Sequence, residues 1–216
     1  MPRCRSTERF VFDQDGTLYP SGSHLGVAVR QRTKDWLGRR LRISRAQVEL
    51  LYEDLQSKYP NPFHGFQSLG ASVSEYHSEV FDAIDPCDYL TYDAGLVQVL
   101  LQLPQPKCVV TLASPSYSEA LQACLGVKDL IEMTYYVKEC APDYSKKRCY
   151  RAIALANLGG DCATLCVVGD NFDLDIAPAL ELGCMAVHVS DKPVSGTHKT
   201  IPTIYHLQDA IQQGGR

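Results

Sequence analysis

The apolar positions change their period along the chain, and the changes mark out its elements. Phe10, Val11 and Phe12 form a short continuous apolar run, the pattern of a strand buried on both faces. From His24 the spacing lengthens. Leu25, Val29, Thr33, Trp36 and Leu37 recur every three or four residues, predicting a helix that ends near the Arg39–Arg42 run. Ser44 has the character of an N-cap for a second helix carrying Val48, Leu51 and Leu55 to about Lys58. Tyr59–Gly65 (YPNPFHG) reads as a break, and Ser72–Ala83 as a third helix with Tyr76, Val80 and Phe81 on one face. Residues 21–92 therefore read as all-helical, set off from the first strand by the breaker cluster Pro20-Ser21-Gly22-Ser23, a candidate hinge.

Beyond residue 93 helical and strand patterns alternate. Helices are predicted at Ala94–Leu103, stopped by Pro104 and Pro106, and at Tyr117–Leu125, closed by Gly126. Two more follow at Lys146–Leu158, ended by Gly159-Gly160, and at Ile176–Leu182, with a short one at Leu207–Gln213. Strands fall at Cys108–Leu112, Glu132–Val137, Leu165–Val168 and Met185–Val189. Such alternation builds an α/β fold with a parallel sheet covered on both faces.

Composition narrows the function. The 216 residues suffice for one sizeable core with a smaller insertion, and the net charge of −4 argues against a nucleic-acid or membrane-surface partner. The short RRLR run is a solvated helix face. The N-terminus lacks an apolar signal core, and no stretch approaches ~20 apolar residues. The nine cysteines are odd in number, scattered, and form no C-x-x-C pair. They read as reduced thiols of a cytoplasmic protein, several acting as small buried hydrophobes.

Candidate chemistry collects where strands end. Asp13 and Asp15 follow the first strand, with Gly16 to turn the chain. Alone, D-Q-D-G reads as a strand running into a turn, and it lacks the further acids of a calcium loop. Thr111 and Ser114 end a second strand; Asp170 and Asp175 follow a third. In open α/β sheets ligands bind outside the carboxyl ends of strands. Together these ends offer a carboxylate nucleophile, a hydroxyl for a phosphate oxygen, and acids for a hard cation. A phosphate beside crowded carboxylates requires such a cation, and Mg²⁺ suits oxygen ligands.

FDQDGTLY, the strand ending in Thr111, and VVGDNFDLDIAPA together resemble the haloacid dehalogenase (HAD) superfamily of phosphohydrolases. DGTLYP at Asp15–Pro20 and YHSEVFDAIDPCDYL at Tyr76–Leu90 bring the pyrimidine 5′-nucleotidase-like branch nearest. The resemblance implies a Rossmann-like HAD core over residues 1–20 and 93–216, with a helical cap domain over 21–92. It implies Asp13 as a nucleophile forming an aspartyl-phosphate, and Asp15 as the acid that protonates the leaving oxygen and then activates water. Mg²⁺ would be held by Asp13, the Asp15 carbonyl and Asp170, with Asp175 supporting that shell. Thr111, or Ser114 in a shifted alignment, would contact phosphate.

Two departures stand out. Leu112 occupies the place of the family's usual Asn, and Ala141 that of the phosphate-binding Lys before Pro142. Lys146 or Lys147, from the following helix, could replace that cation, with Lys138 a further candidate. Tyr19 and His24, near the hinge, are candidates for touching substrate. The expected activity is hydrolysis of a small phosphomonoester such as a nucleoside 5′-monophosphate. Rival readings are a sugar phosphomutase of the same architecture and a catalytically weakened binding or regulatory protein.

Overall fold

The computed structural model describes residues 7–141, 143–192 and 199–212. Strands β1 (Arg9–Phe12), β4 (Lys107–Thr111), β5 (Met133–Tyr136), β6 (Leu165–Gly169), β7 (Met185–Val189) and β8 (Lys199–Ile201) form one sheet in the order β5-β4-β1-β6-β7-β8. Every pairing in it is parallel. Two short strands, β2 (Asp15–Gly16) and β3 (Tyr19–Pro20), make a separate ribbon just beyond β1.

Side chains of β1, β4 and β6 alternate between two apolar layers. Phe10, Phe12, Val109, Cys166 and Val168 face one side, where α5 (Ala94–Leu101) and α6 (Pro115–Leu125) bring Leu96, Leu100, Leu121 and Leu125. Val11, Cys108, Val110, Leu165 and Val167 face the other, against Cys149, Tyr150 and Ile153 of α8 (Lys146–Asn157) and Ala179 of α9 (Ala177–Glu181). Burial on both faces explains why these strands are continuously apolar. Crossovers from β1 to β4 and from β1's other neighbour β6 leave on opposite sides, so β1 lies at the point where strand order reverses.

The segment after β3 is helical: α1 (His24–Leu41), α2 (Arg45–Lys58), α3 (Pro62–Ser68) and α4 (Val73–Tyr76). Ser23 caps α1, and Ser44 with Gln47 forms a capping box on α2. The expected break at Tyr59–Gly65 is only partly a break. Asn61 caps Phe63 N–H and Pro62 occupies the first turn, where its missing N–H costs nothing, so a short helix starts there. The third predicted helix runs as α4 and then widens into a π turn over His77–Phe81. Ribbon β2–β3, strand β8 and helix α7 (Val137–Cys140) fall outside the sequence pattern because each is too short to show a period. Gln213, the expected end of the last helix, lies outside the described residues; α10 spans Leu207–Gln212.

An aromatic cluster holds the helical segment together. Trp36 meets Phe66 and Tyr76 edge-on, and Phe63, Tyr76 and Phe81 continue the contact. Polar bonds join it to the loops of the sheet. His77 Nε2 lies 2.9 Å from the Leu112 carbonyl, Asn61 Nδ2 donates to the Tyr144 carbonyl at 2.7 Å, and His64 Nε2 meets the Asp143 carbonyl. Among the described residues no helix is long and apolar enough to cross a membrane.

His77 generates a prediction about acid stability. Burial holds its pKa below the ordinary 6.5, with Lys138 acting in the same direction and the Leu112 carbonyl, Asp82 and Glu139 opposing. The unfolded chain therefore binds a proton at this site before the folded one does, and the site's contribution to stability is lost as pH falls through 6.5. Denaturant titrations of wild type and His77→Gln between about pH 7.5 and pH 5.5 should show the wild type losing its advantage toward the acid end. A stability difference independent of pH would contradict this.

Candidate active site

The chain leaves β1 into the D-Q-D-G turn, and its backbone stays anchored there because Asp13 N–H donates to the Val168 carbonyl of β6 at 2.8 Å. Gln14 is fully buried beneath the turn. Its Oε1 accepts from Ser118 Oγ (2.5 Å) and Gln122 Nε2 (3.2 Å), both on α6. This fixes the direction of the carboxylates on either side. Asp13 Oδ2 accepts from Thr17 Oγ1 at 3.1 Å.

The central contact is an ammonium group among carboxylates. Lys146, on the first turn of α8 and 5% exposed, places Nζ 2.5 Å from Asp13 Oδ1 and 2.6 Å from Asp175 Oδ1. Burial opposes its charge, yet Asp13 and Asp175 outweigh that and hold its pKa well above the usual lysine value. Asp175 also accepts from the Asn171 N–H, which ties it into the loop after β6. That loop continues as a π turn over Phe172–Ile176, a widened geometry frequent at functional positions.

Asp13, Asp170 and Asp175 each present an oxygen within 4.8 Å of the others. Burial raises the Asp170 carboxyl to about 8, reinforced by Asp13 and Asp175; burial raises Asp175 to about 6. Two glycines make the crowding possible. A Cβ on Gly16 (φ 97°) would lie 2.1 Å from Asp170 Oδ2, and one on Gly169 would lie 2.5 Å from Asp175. Lys146 pairs with two of the three acids and leaves Asp170 without an ammonium partner. An all-oxygen set of three acids fits a hard divalent cation such as Mg²⁺.

Asp15 is held differently. Its carboxyl accepts at Oδ1 from Tyr19 OH (2.6 Å) and Tyr117 OH (3.3 Å), while Gln14 Nε2 lies 3.3 Å from Oδ2. Burial raises its pKa to about 6 against the lowering effect of these bonds. Thr111, at the end of β4, is fully buried and accepts the Ala113 N–H at Oγ1 (3.0 Å).

The other sequence candidates lie elsewhere. Ser114 Oγ donates to Asp82, as does Ser116 Oγ, so this hydroxyl bonds the end of the helical segment. Lys147, one residue from Lys146, points a helical 100° away and pairs with exposed Glu181. Lys138 bonds Ser74 on the surface. Lys146 is thus the lysine that reaches the carboxylates, while Ala141 is buried in the apolar layer. Tyr19 meets the site through Asp15, and His24 is exposed on the first turn of α1. Sequence reasoning missed Thr17, whose signal was its place directly after the DQDG turn, and Tyr117, whose only sequence mark is a buried position on an amphipathic helix.

A cavity of about 320 Å³ opens between the helical segment and the loop after β6, lined by Arg30, Tyr52, Tyr59 and Tyr76 on one side and Asn171 and Leu174 on the other. Tyr52, Tyr59 and Tyr76 thus border open space as well as serving the packing of the segment.

Solved structures share this architecture end to end. A HAD phosphatase from Thermococcus onnurineus superposes with a TM-score of 0.62 at 19% identity, covering 98% of this chain and 99% of that one. The fold is HAD-like. YfnB from Bacillus subtilis, a candidate HAD hydrolase solved with magnesium, gives a TM-score of 0.64 at 12% identity over 96% of this chain and 100% of its own. L-2-haloacid dehalogenase from Xanthobacter autotrophicus gives 0.56 at 17% identity over 97% and 100%. No family model and no curated protein sequence matches the chain.

Removing the central cation tests the charge balance of this site. Lys146→Met should destabilise the protein by about 3–5 kcal/mol in EDTA, because it leaves buried carboxylates unpaired. Added Mg²⁺ should restore part of the loss, read as a shift in melting temperature. Gly16→Ala, whose Cβ displaces Asp170, should weaken any Mg²⁺-dependent thermal shift at least 10-fold in apparent affinity, a change of about 1.4 kcal/mol.

Proposed function

We propose that this chain is a Mg²⁺-dependent phosphatase of small phosphomonoesters, working through a phospho-Asp13 intermediate. The observation that carries the reading is the placement of Lys146 against Asp13 and Asp175, with Asp170 alongside, at the carboxyl ends of β1 and β6. Asp13 is the nucleophile: its carboxylate oxygen bonds to phosphorus as the bond to the leaving oxygen breaks. Lys146 and Thr17 orient that carboxylate, and Thr111 supplies a hydroxyl for a phosphoryl oxygen. Asp13, Asp170 and the Asp15 carbonyl hold Mg²⁺ with Asp175 in support, and the ion supplies neutralisation of charge on the phosphoryl oxygens. Asp15 gives its proton to the leaving alkoxide and takes one from the water that hydrolyses the aspartyl-phosphate. An acid at that place favours a phosphate ester over a halide, which leaves without a proton.

Residues 21–92 act as a cap over the core of 1–20 and 93–216, excluding bulk water between steps. The tyrosine-lined cavity beneath it supports a ring-bearing leaving group, and a nucleoside 5′-monophosphate is the substrate class we favour. The dispersed thiols, with Cys108, Cys166 and Cys184 buried, support a cytoplasmic setting.

A panel of phosphomonoesters assayed with and without Mg²⁺ tests the reading. Nucleoside 5′-monophosphates should rank among the best substrates, EDTA should abolish turnover, and Asp13→Asn should lower kcat by about 10³-fold or more. Turnover that survives Asp13→Asn unchanged would sink the mechanism.

A further inference from the structure

Two phenols from distant elements converge on a single oxygen of Asp15. Tyr19 comes from the β2–β3 ribbon and Tyr117 from the first turn of α6, positions 98 residues apart. Both rings are nearly sealed, at 4% and 2% exposure. Tyr19 OH donates to Asp15 Oδ1 at 2.6 Å, Tyr117 OH approaches the same oxygen at 3.3 Å, and the two hydroxyls stand 3.3 Å apart. A carboxyl oxygen has two lone pairs in its plane, and at Oδ1 one takes the short Tyr19 bond while the other faces Tyr117. Oδ2 has no short bond, only the Gln14 Nε2 contact at 3.3 Å. Tyr117 is itself braced by the ring of Phe81, 4.9 Å away at the end of the helical segment.

We propose that Tyr19 and Tyr117 are positioning residues of the reaction: they bind Oδ1 of Asp15, fix its rotamer, and leave Oδ2 as the oxygen that carries the transferable proton. The proposal rests on the reading of Asp15 as the acid and base of a phosphatase. In the first step the Oδ2–H proton moves to the leaving alkoxide as its P–O bond breaks and the bond from Asp13 forms, leaving Asp15 ionised. In the second, Oδ2 accepts a proton from water as the water oxygen bonds to phosphorus. The bond from phosphorus to Asp13 breaks, and inorganic phosphate departs. In both steps the phenol hydrogens stay on the tyrosines. A phenol lost from this pair frees the carboxyl to rotate and lets the proton settle on either oxygen.

The test uses leaving groups of different acidity. Tyr19→Phe and Tyr117→Phe keep the rings, and thermal melting in Mg²⁺ checks that each folds. The value of kcat/KM reports events through phosphorylation of Asp13, whereas kcat also includes hydrolysis of the intermediate. For an alkyl phosphate, whose leaving oxygen needs the proton, Tyr19→Phe should lower kcat/KM about 10-fold. For 4-nitrophenyl phosphate, whose leaving group departs as a stable anion, kcat/KM should change less than about 2-fold. There kcat and KM should fall together, because the water step still needs Asp15. Tyr117→Phe should give the same pattern with a smaller loss, and the double variant should lose less than the product of the two.

Equal loss of kcat/KM on both esters would mean the hydroxyls only hold the site's structure, and unchanged kinetics would remove any role for them; either overturns the proposal. Should one variant fail to fold, the leaving-group dependence of the other decides. A wild-type chain inert on both esters, or active but indifferent to Asp13→Asn, would instead refute the phosphatase reading and carry this inference down with it.

Discussion

A single ammonium group buried among carboxylates sets the terms for the rest of this molecule. Lys146 bonds Asp13 and Asp175 from the first turn of α8, and Asp170 lies close beside them. Taking these charges out of water is costly, and each partner is needed to offset the desolvation of the others. The demand reaches outward. Gly16 and Gly169 exist as glycines because a Cβ at either would occupy the space of Asp170 or Asp175. Gln14 is locked to α6 so that the acids flanking it point where they do. The sheet places β1 between β4 and β6, which is the arrangement that lets one crevice collect side chains from three loops.

The helical segment is bound to those same loops. Asn61 and His64 hold the carbonyls of Tyr144 and Asp143, just before Lys146. His77 holds Leu112, just after Thr111, and Asp82 takes both Ser114 and Ser116. Lys138 adds a surface bond to Ser74. Apart from this surface bond, each joins the helices to a stretch of chain that closely flanks a site residue. A shift of these helices relative to the sheet therefore has to break or remake bonds at the loops that position Lys146 and Thr111. Apolar contact adds to these bonds, since Phe63 packs on Tyr144 and Phe81 on Tyr117 in a layer continuous with the sheet.

The elements with a long period or a continuous apolar run were legible in the sequence. The core strands and α1, α2, α5, α6 and α8 stand within a few residues of their predicted bounds, because caps such as Ser23, Ser44 and Gly126 mark their ends. Asp13, Asp170, Asp175 and Lys146 were legible as a set of residue types at strand ends and a helix start. Other features were not. Choosing Lys146 over Lys147 depends on which side of α8 faces the sheet, and neighbouring lysines at a helix start carry no mark of that. Ser114 stands as a phosphate contact in a shifted alignment to the family, but its hydroxyl is captured by Asp82, more than thirty residues earlier in the chain. Tyr117 reads as core on any helical pattern, and only the fold reveals that its hydroxyl meets Asp15. Long-range polar pairing of this kind leaves no local trace in a sequence.

The four carboxylates at this site are set in different surroundings, and those differences carry the chemistry. Asp13 and Asp175 share Lys146. Asp15 has two phenols and is separated from the ammonium. Among the described residues no ion pair reaches the Asp170 carboxyl, and burial beside two other acids raises it to about 8. Its neighbours thus oppose the ionised form, which a bound cation would favour. Lys146 is too far committed to supply that cation, since it already holds two carboxylates. Asp170 is therefore the acid of the cluster without an ammonium partner of its own. Its closeness to Gly16 places that unpaired acid beside the backbone of the nucleophile's own loop.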